Sequence, residues 1–291
     1  MISSAHKTLI NDLKRKFERL KPGKESLLAL IEEAELPELV YNSNAIENST
    51  LTLKETEKIL LEQEVMRDVS VRELFEAKNL ARVMEYLRSK PRYELSIKNI
   101  LLLHQMLIGG IKDSIAGRLR KPGEYVRVGT HIAPAPEHVH QLLENLLIDY
   151  QSNLDDYFLE RIAKFHLEFE RIHPFCDGNG RIGRVLINQQ MAQFGLPPVV
   201  IRNKGKREHY YPAFAEYIDD QSAEKLERLL ALALIESLHK RLAYLQGLEI
   251  VDLSDYAQQS EKSIHSLLNA ARRQTIPAFR EKGTWKIGVE R

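Results

Sequence analysis

This chain has almost no cysteine. Its one thiol, Cys176, has no partner within the sequence, which excludes an internal disulfide framework. Long apolar runs are missing as well. Nothing approaches the roughly 18 consecutive apolar residues of a membrane span, so no membrane partner is expected. A charge excess is also missing. Lys and Arg number 42 against 41 Asp and Glu, a net +1, too weak a field to draw the whole molecule to nucleic acid or lipid. The opening stretch MISSAHKTLINDLKRK lacks the apolar segment of a secretion signal, and the expected setting is the cytoplasm. Aromatic residues make up 7%, and strand-like alternation is confined to the stretch from Tyr125 to His131.

What is there is a globular chain of 291 residues, 43% hydrophobic, enough for one large domain or about two. Helical spacing dominates. Pro37 reads as the first-turn residue of a helix running through Val40, Ser43 and Ile46 to about Glu47. Thr52-Leu-Lys-Glu55 reads as a capping box opening the next helix. Leu154, Phe158, Ile162, Phe165, Phe169 and Ile172 share one helix face. A second periodic segment, from about Arg181 to Phe194, stops at Gly195 with Pro197 and Pro198 just beyond. A third helical region runs from Glu208 to about Leu248.

Between the first pair of well-packed helices lies His173-Pro-Phe-Cys-Asp-Gly-Asn-Gly-Arg-Ile-Gly-Arg184. Gly178 and Gly180 allow close backbone approach to a ligand. The helix that follows offers its free N–H groups to an anion. Arg181 and Arg184 share a face near that helix start and add forked donors for phosphate oxygens. Asp177 is an oxygen ligand suited to Mg²⁺, and His173 takes a proton near neutral pH. A phosphate clamp, a metal ligand and a base together serve transfer of a phosphorus group to a hydroxyl.

The segment resembles the signature loop of the Fic family, H-x-F-x-[D/E]-G-N-G-R-x-x-R, at every specified position. Eight such positions coincide by chance in a chain this size roughly once in a hundred million. The resemblance implies a mainly α fold, a Fic helical bundle with a short β-hairpin flap; separately, the tail from Leu253 through Arg273 to Ile287 resembles a small C-terminal winged-helix-like or excisionase-like domain. The Fic resemblance implies that His173 is the general base, that Asp177 holds Mg²⁺, and that Gly178, Asn179, Gly180 and Arg181 form the anion hole for the α- and β-phosphates of ATP. It implies that Arg184 pairs with the γ-phosphate. Val126, Arg127, Val128 and Gly129 resemble the family flap (about 117–136) that pins a target segment as an added strand. Tyr210 and Tyr211 resemble positions lining the adenine pocket. The implied reaction moves AMP from ATP to a Ser, Thr or Tyr of a target protein. Gly180 speaks against simple phosphorylation, because the related toxin kinases carry lysine there.

Ser43-Asn-Ala-Ile-Glu47-Asn48 resembles the family's inhibitory motif, [S/T]-x-x-x-E-[G/N], in the class with an N-terminal inhibitory helix (here about 38–48). Ser43 and Glu47 stand four apart on one helix face. A carboxylate at that helix end is expected to pair bidentately with Arg184 and occupy the γ-phosphate's place.

The expected divisions are an N-terminal helical region (1–100), a Fic core holding the flap and the loop 173–184 (101–248), and a small C-terminal domain (249–291). The tail from Asp255 to Arg291 holds seven basic and four acidic residues. That excess suits contact with a DNA backbone, but target recruitment or a dimer surface fits equally well, and DNA is not the favoured partner. Three functions remain open at this point: self-inhibited adenylyl transfer, AMP removal or another nucleotidyl transfer at the same site, and a DNA-binding regulator with a nucleotide-sensing core.

Overall fold

The computed structural model describes residues 2–65, 68–90, 93–129 and 131–290. Met1 and Arg291, at the outer limits of the expected domains, and Thr130, in the expected flap, lie outside the described residues.

The chain opens with α1 (Ser4–Leu20), whose first turn is capped by the Ser3 hydroxyl accepting from the His6 N–H. Its apolar stripe of Ile10, Leu13 and Phe17 is buried along a helix near the C-terminus, α10 below. Next comes α2 (Glu25–Ile46), with Pro37 in its interior. This corrects the expected start at Pro37. The preceding Glu25–Leu36 stretch is rich in strong helix formers, and burial of Val40, Ala45 and Ile46 compensates for the hydrogen bond a proline removes. Thr52 and Glu55 form the expected reciprocal capping box at α3 (Leu53–Glu57). α4 (Val71–Arg88) starts at a Ser70 cap, and α5 (Ile97–Ile108) follows. The division expected between residues 100 and 101 therefore falls inside a helix.

An irregular stretch then carries the hairpin of β1 (Arg127–Val128) and β2 (His131–Ile132), paired antiparallel with Val128 opposite His131. α6 (Pro136–Ser152) leads to α7 (Phe158–Ile172) and α8 (Asn179–Gln193). Leu154 lies before α7 and is exposed, not part of the buried face expected for it. The third helical region divides into α9 (Tyr211–Asp220) and α10 (Glu224–Leu245), preceded by a π-helical turn at Lys206–Tyr210. The tail holds β3 (Glu249–Asp252), α11 (Leu253–Gln259), α12 (Ile264–Arg272), β4 (Ala278–Glu281) and β5 (Thr284–Val289). Its three strands form an antiparallel sheet in the order β3-β5-β4, with a small apolar cluster of its own around Leu253, Leu267 and Ala278.

Two larger apolar clusters hold the bundle. One joins α1 and α2 to α7 and α10; the other joins α4, α5 and α6 to α7 and α8. Helix α8 is the hub, buried almost throughout. The Asn188 amide in its middle bonds both backbone groups of Val199, which fixes the loop after the helix.

Buried ion pairs set the lie of α2. Glu35 accepts from Arg241 Nη2 at 2.5 Å and from Lys240 Nζ at 3.3 Å, and all three side chains are nearly inaccessible. Glu38 pairs with Arg202, which also reaches Glu236 at 2.8 Å. The β4–β5 turn closes on the same helix, with the Gly283 N–H donating to Glu38 Oε1 at 3.2 Å. Replacing Glu35 with Ala leaves buried Arg241 without its carboxylate and Lys240 with only Glu281, 3.6 Å away, and is expected to cost about 3–5 kcal/mol, read from urea unfolding midpoints. Burial raises the Glu35 carboxyl, but Arg241 and Lys240 outweigh it and hold the group below its ordinary value. The stability it contributes is therefore present above the unfolded carboxylate range, about 4.3, and is lost as pH falls through the lower folded value.

Candidate active site

The loop from His173 to Gly178 turns the chain from α7 into α8. His173 closes α7 in the left-handed region (φ 50°), its N–H donating to Phe169 O at 2.9 Å. Phe175 is fully buried and stacks flat on the His104 ring, 3.7 Å between centroids. His104 Nδ1 accepts from the Gly117 N–H at 3.1 Å, which leaves Nε2–H to donate to Asp177 O at 3.0 Å. Burial depresses this imidazole to about 4, so it stays neutral in that tautomer. Asn179 clasps both backbone groups of Phe175, at 2.9 and 2.8 Å. Its side chain is thus spent on the loop, and only its backbone N–H is left for an anion.

Arg120 holds the other side. Its guanidinium donates to His173 O at 2.8 Å, Ile172 O at 3.3 Å and Pro134 O at 2.8 Å. It thereby caps the carbonyls of α7 and ties them to the base of the hairpin. The signature motif does not disclose His104 or Arg120. His104 stands alone in the apolar run Ile100–Ile108, and its spacing gives no sign of a partner.

Gly178 opens α8 at φ 81°, with Ile108 only 3.1 Å from where a Cβ would stand. Beyond it the first N–H groups of α8 have no partner inside the helix. Over them lies Glu47: a Cβ on residue 180 would be 2.2 Å from Glu47 Oε1. Arg184 is buried and meets three groups from α2. Its Nε donates to Ser43 Oγ at 3.0 Å, and its Nη2 donates to Ser43 O and Glu47 Oε1, both at 2.8 Å. The bidentate pair expected of Glu47 is not formed. One carboxylate oxygen takes one N–H, because Ser43 claims the rest of that edge of the guanidinium. Burial raises the Glu47 carboxyl, yet the charge and hydrogen bond of Arg184 hold it below its ordinary value.

The end of α2 is capped from outside. Lys206 Nζ donates to Ala45 O at 2.8 Å, Ile46 O at 3.0 Å and Asn48 Oδ1 at 3.2 Å. Asn48 itself stands in the left-handed region (φ 67°) that ends the helix. The Tyr211 hydroxyl donates to Ile46 O at 2.9 Å. Tyr210 is buried beneath Arg184, its hydroxyl 2.8 Å from His166 Nε2 and 3.4 Å from Arg184 Nη1. Its ring is enclosed by His166 and Phe214 and has no face left for a base. Of the two tyrosines expected at the adenine, only Tyr211 presents a partly open ring.

Asp177 projects from the loop with both oxygens engaged, Oδ1 by Arg181 at 3.1 Å and Oδ2 by Arg72 at 2.8 Å. Glu76 ties these two arginines together, 3.0 Å from each. His173 is largely enclosed, and burial pushes its imidazole down to about 4. Its Nδ1 lies 3.3 Å from Glu170 O, while Nε2 makes no hydrogen bond among the described residues. Beside it, the hairpin with Val126, Arg127, Val128 and Gly129 is fastened to α7 through His131 Nε2 and Arg171 O, 3.0 Å apart. Val128 and Ile132 stay exposed.

Residues 94–191, which span the loop, its supporting helices and the hairpin, match the Fic/DOC family model. The chain carries a Fic domain. The chain is 32% identical over 207 residues to the protein adenylyltransferase fic-1 of Caenorhabditis briggsae, a match that covers 69% of this chain and 40% of the relative. The chain thus spans less than half the length of that curated relative. A Fic-domain-containing signaling protein from Bacteroides thetaiotaomicron superposes with a TM-score of 0.73 at 25% identity, covering 82% of this chain and 97% of the other. A Fic family protein from Desulfovibrio desulfuricans shares the fold along the whole chain, with a TM-score of 0.67, 21% identity, and coverage of 100% and 98%. The mainly α bundle is therefore the Fic fold, with small antiparallel sheets added to it. No described helix is long and apolar enough to cross a membrane.

Proposed function

We propose that this chain is a self-inhibited protein adenylyltransferase, which moves AMP from ATP to a Ser, Thr or Tyr hydroxyl of a target protein. The observation that carries the reading is the convergence at one point of the open N-terminus of α8, the Arg184 guanidinium and the neutral imidazole of His173. The donors there are preorganised for phosphate oxygens, and the base stands at the mouth.

In this reading His173 takes the target hydroxyl's proton at Nε2. The N–H groups of Gly180 and Arg181, with the Asn179 backbone, hold the α- and β-phosphates. Arg184 receives the γ-phosphate after Glu47 has left it. Pyrophosphate departs as the hydroxyl oxygen bonds the α-phosphorus. The hairpin edge at Arg127–Val128 holds the target backbone, which gives little side-chain code for the target's identity.

The donor set also suits a magnesium ion carried in with ATP. Among the described residues no group of three or more His, Cys, Asp or Glu side chains could hold a metal, so Asp177 would be the protein's ligand and phosphate and water would supply the rest. Bound there, Mg²⁺ neutralises phosphate charge during transfer. Arg72 is the exposed partner that would have to release Asp177 first.

The inhibitory reading rests on Glu47 filling the place of a phosphate on Arg184, with Ser43 fixing the angle of approach. The cytoplasmic setting and a role for the C-terminal module in contacting a partner belong to the same proposal. Wild type and the Glu47→Gly variant, each incubated with α-labelled and with γ-labelled ATP, test the reaction. Protein label from the α-phosphate alone is expected. Label from the γ-phosphate means a kinase, and no label from either overturns the reading.

A further inference from the structure

One buried acid at this site has a carboxyl oxygen with no hydrogen bond among the described residues. Glu170 lies on α7 one turn before His173, its side chain about nine-tenths enclosed. Its Oε1 has no hydrogen-bond partner among the described residues, and its Oε2 stands 3.8 Å from His173 Nδ1. That nitrogen has only the long 3.3 Å contact with the carbonyl of Glu170 itself. An unpartnered carboxyl in a helix interior costs stability, and nothing in the packing requires one here.

The helix opposite makes room for it. A Cβ on Gly183 would stand 2.6 Å from Glu170 Oε1 and 2.9 Å from His166 Nδ1, so any larger residue in α8 would displace the carboxyl. The charged and titratable groups facing Glu170 are His166 and His173 on α7, Arg184 on α8, Glu47 at the end of α2, and Tyr210; around His173 there are also Arg120 and His131. Arg184 is committed to Ser43 and Glu47, and Arg120 to backbone carbonyls. A movement of about 0.8 Å brings Oε2 within ordinary hydrogen-bond range of His173 Nδ1.

We propose that Glu170 is the positioning residue of His173: it holds the Nδ1–H, so that Nε2 keeps its lone pair toward the target hydroxyl, and it faces the imidazolium that forms when the hydroxyl proton arrives. The inference rests on the adenylyl-transfer reading. The hydroxyl O–H bond breaks and its proton goes to Nε2. The oxygen bonds the α-phosphorus, and the electron pair of the broken P–O bond leaves with pyrophosphate. Glu170 forms no covalent bond. Burial, reinforced by the charge of Glu47, pushes its carboxyl up to about 8, so at rest it is neutral, and once the two groups close the 3.8 Å gap its carbonyl oxygen accepts the Nδ1–H. Once ionised, it stabilises the imidazolium more strongly.

The test uses the full chain in the Glu47→Gly background, with kcat for α-label transfer measured from pH 6 to 9. The parent is expected to rise about tenfold across this range as Glu170 ionises, with the rise set below about 8 because the Glu47 charge that reinforces that value is gone. Glu170→Gln, which keeps shape and acceptor but cannot ionise, is expected to stay flat there, with KM for ATP within twofold and no lower melting temperature. Superimposable pH profiles overturn the proposal. If the parent itself transfers no label, the adenylyl-transfer reading is what fails. Nitrogen-15 NMR of the His173 ring then decides the role of Glu170 alone. Glu170→Leu is expected to move the ring nitrogen shifts, and unchanged shifts overturn it.

Discussion

Replacing Glu47 with glycine is expected to raise α-phosphate transfer to protein about a hundredfold. The size follows from geometry. Glu47 Oε1 sits over Gly180 and holds Arg184 Nη2 at 2.8 Å, so in the proposed reaction ATP would enter with its γ-phosphate denied that arginine. A nucleotide shifted by about 1 Å from the line of attack loses roughly a hundredfold in rate. Removing the carboxylate returns the guanidinium and the start of α8 to the phosphates without touching His173 or the flap. The Glu47 side chain is 43% exposed, but its loss leaves the buried Arg184 guanidinium with only neutral partners, Ser43 and Tyr210, so a lower melting temperature is expected alongside the faster transfer. The measurement is initial rate of label incorporation at saturating ATP. Equal rates in wild type and variant would show that the contact with Arg184 does not restrain the enzyme.

Replacing His173 with alanine in that released background is expected to lower kcat by at least about a hundredfold, the low end of what a positioned general base contributes. ATP affinity should stay within about threefold, since the phosphate donors belong to α8 and Arg184. Because burial holds His173 down to about 4, the base is already unprotonated at neutral pH. Activity governed by it should therefore be lost only as pH falls well below 6. Isothermal titration of ATP, paired with the rate assay, checks both halves. A variant that keeps its rate would remove His173 from the chemistry, and one that loses ATP binding would make it a structural residue.

Much of the site was legible because its chemistry is contiguous. The loop from His173 to Arg184 carries histidine, aspartate, glycines and arginines within one turn between two helices, and the periodicities of α7 and α8 place that turn correctly. The capping box at Thr52 was legible for the same reason, since its two bonds close within four residues. Distant partners were less so. The resemblance pointed from Glu47 to Arg184, but not to the shared hold of Ser43 that leaves the carboxylate a single N–H. Tyr210 reads as a pocket residue, yet it is a core residue that supports the arginine from below.

The sequence by itself determined the helical class, the identity of the motif and the order of the residues proposed as base, metal ligand and phosphate donors, because each depends on residues within a turn or two of one another. Tertiary structure alone decided the course of α2 through Pro37, the clasp of His104 and Arg120 on the loop, and the enclosure of Glu170 beside His173. Each of those depends on which helices pack together and how far apart. A buried polar group's partners are set by that packing, and no periodicity along the chain encodes them.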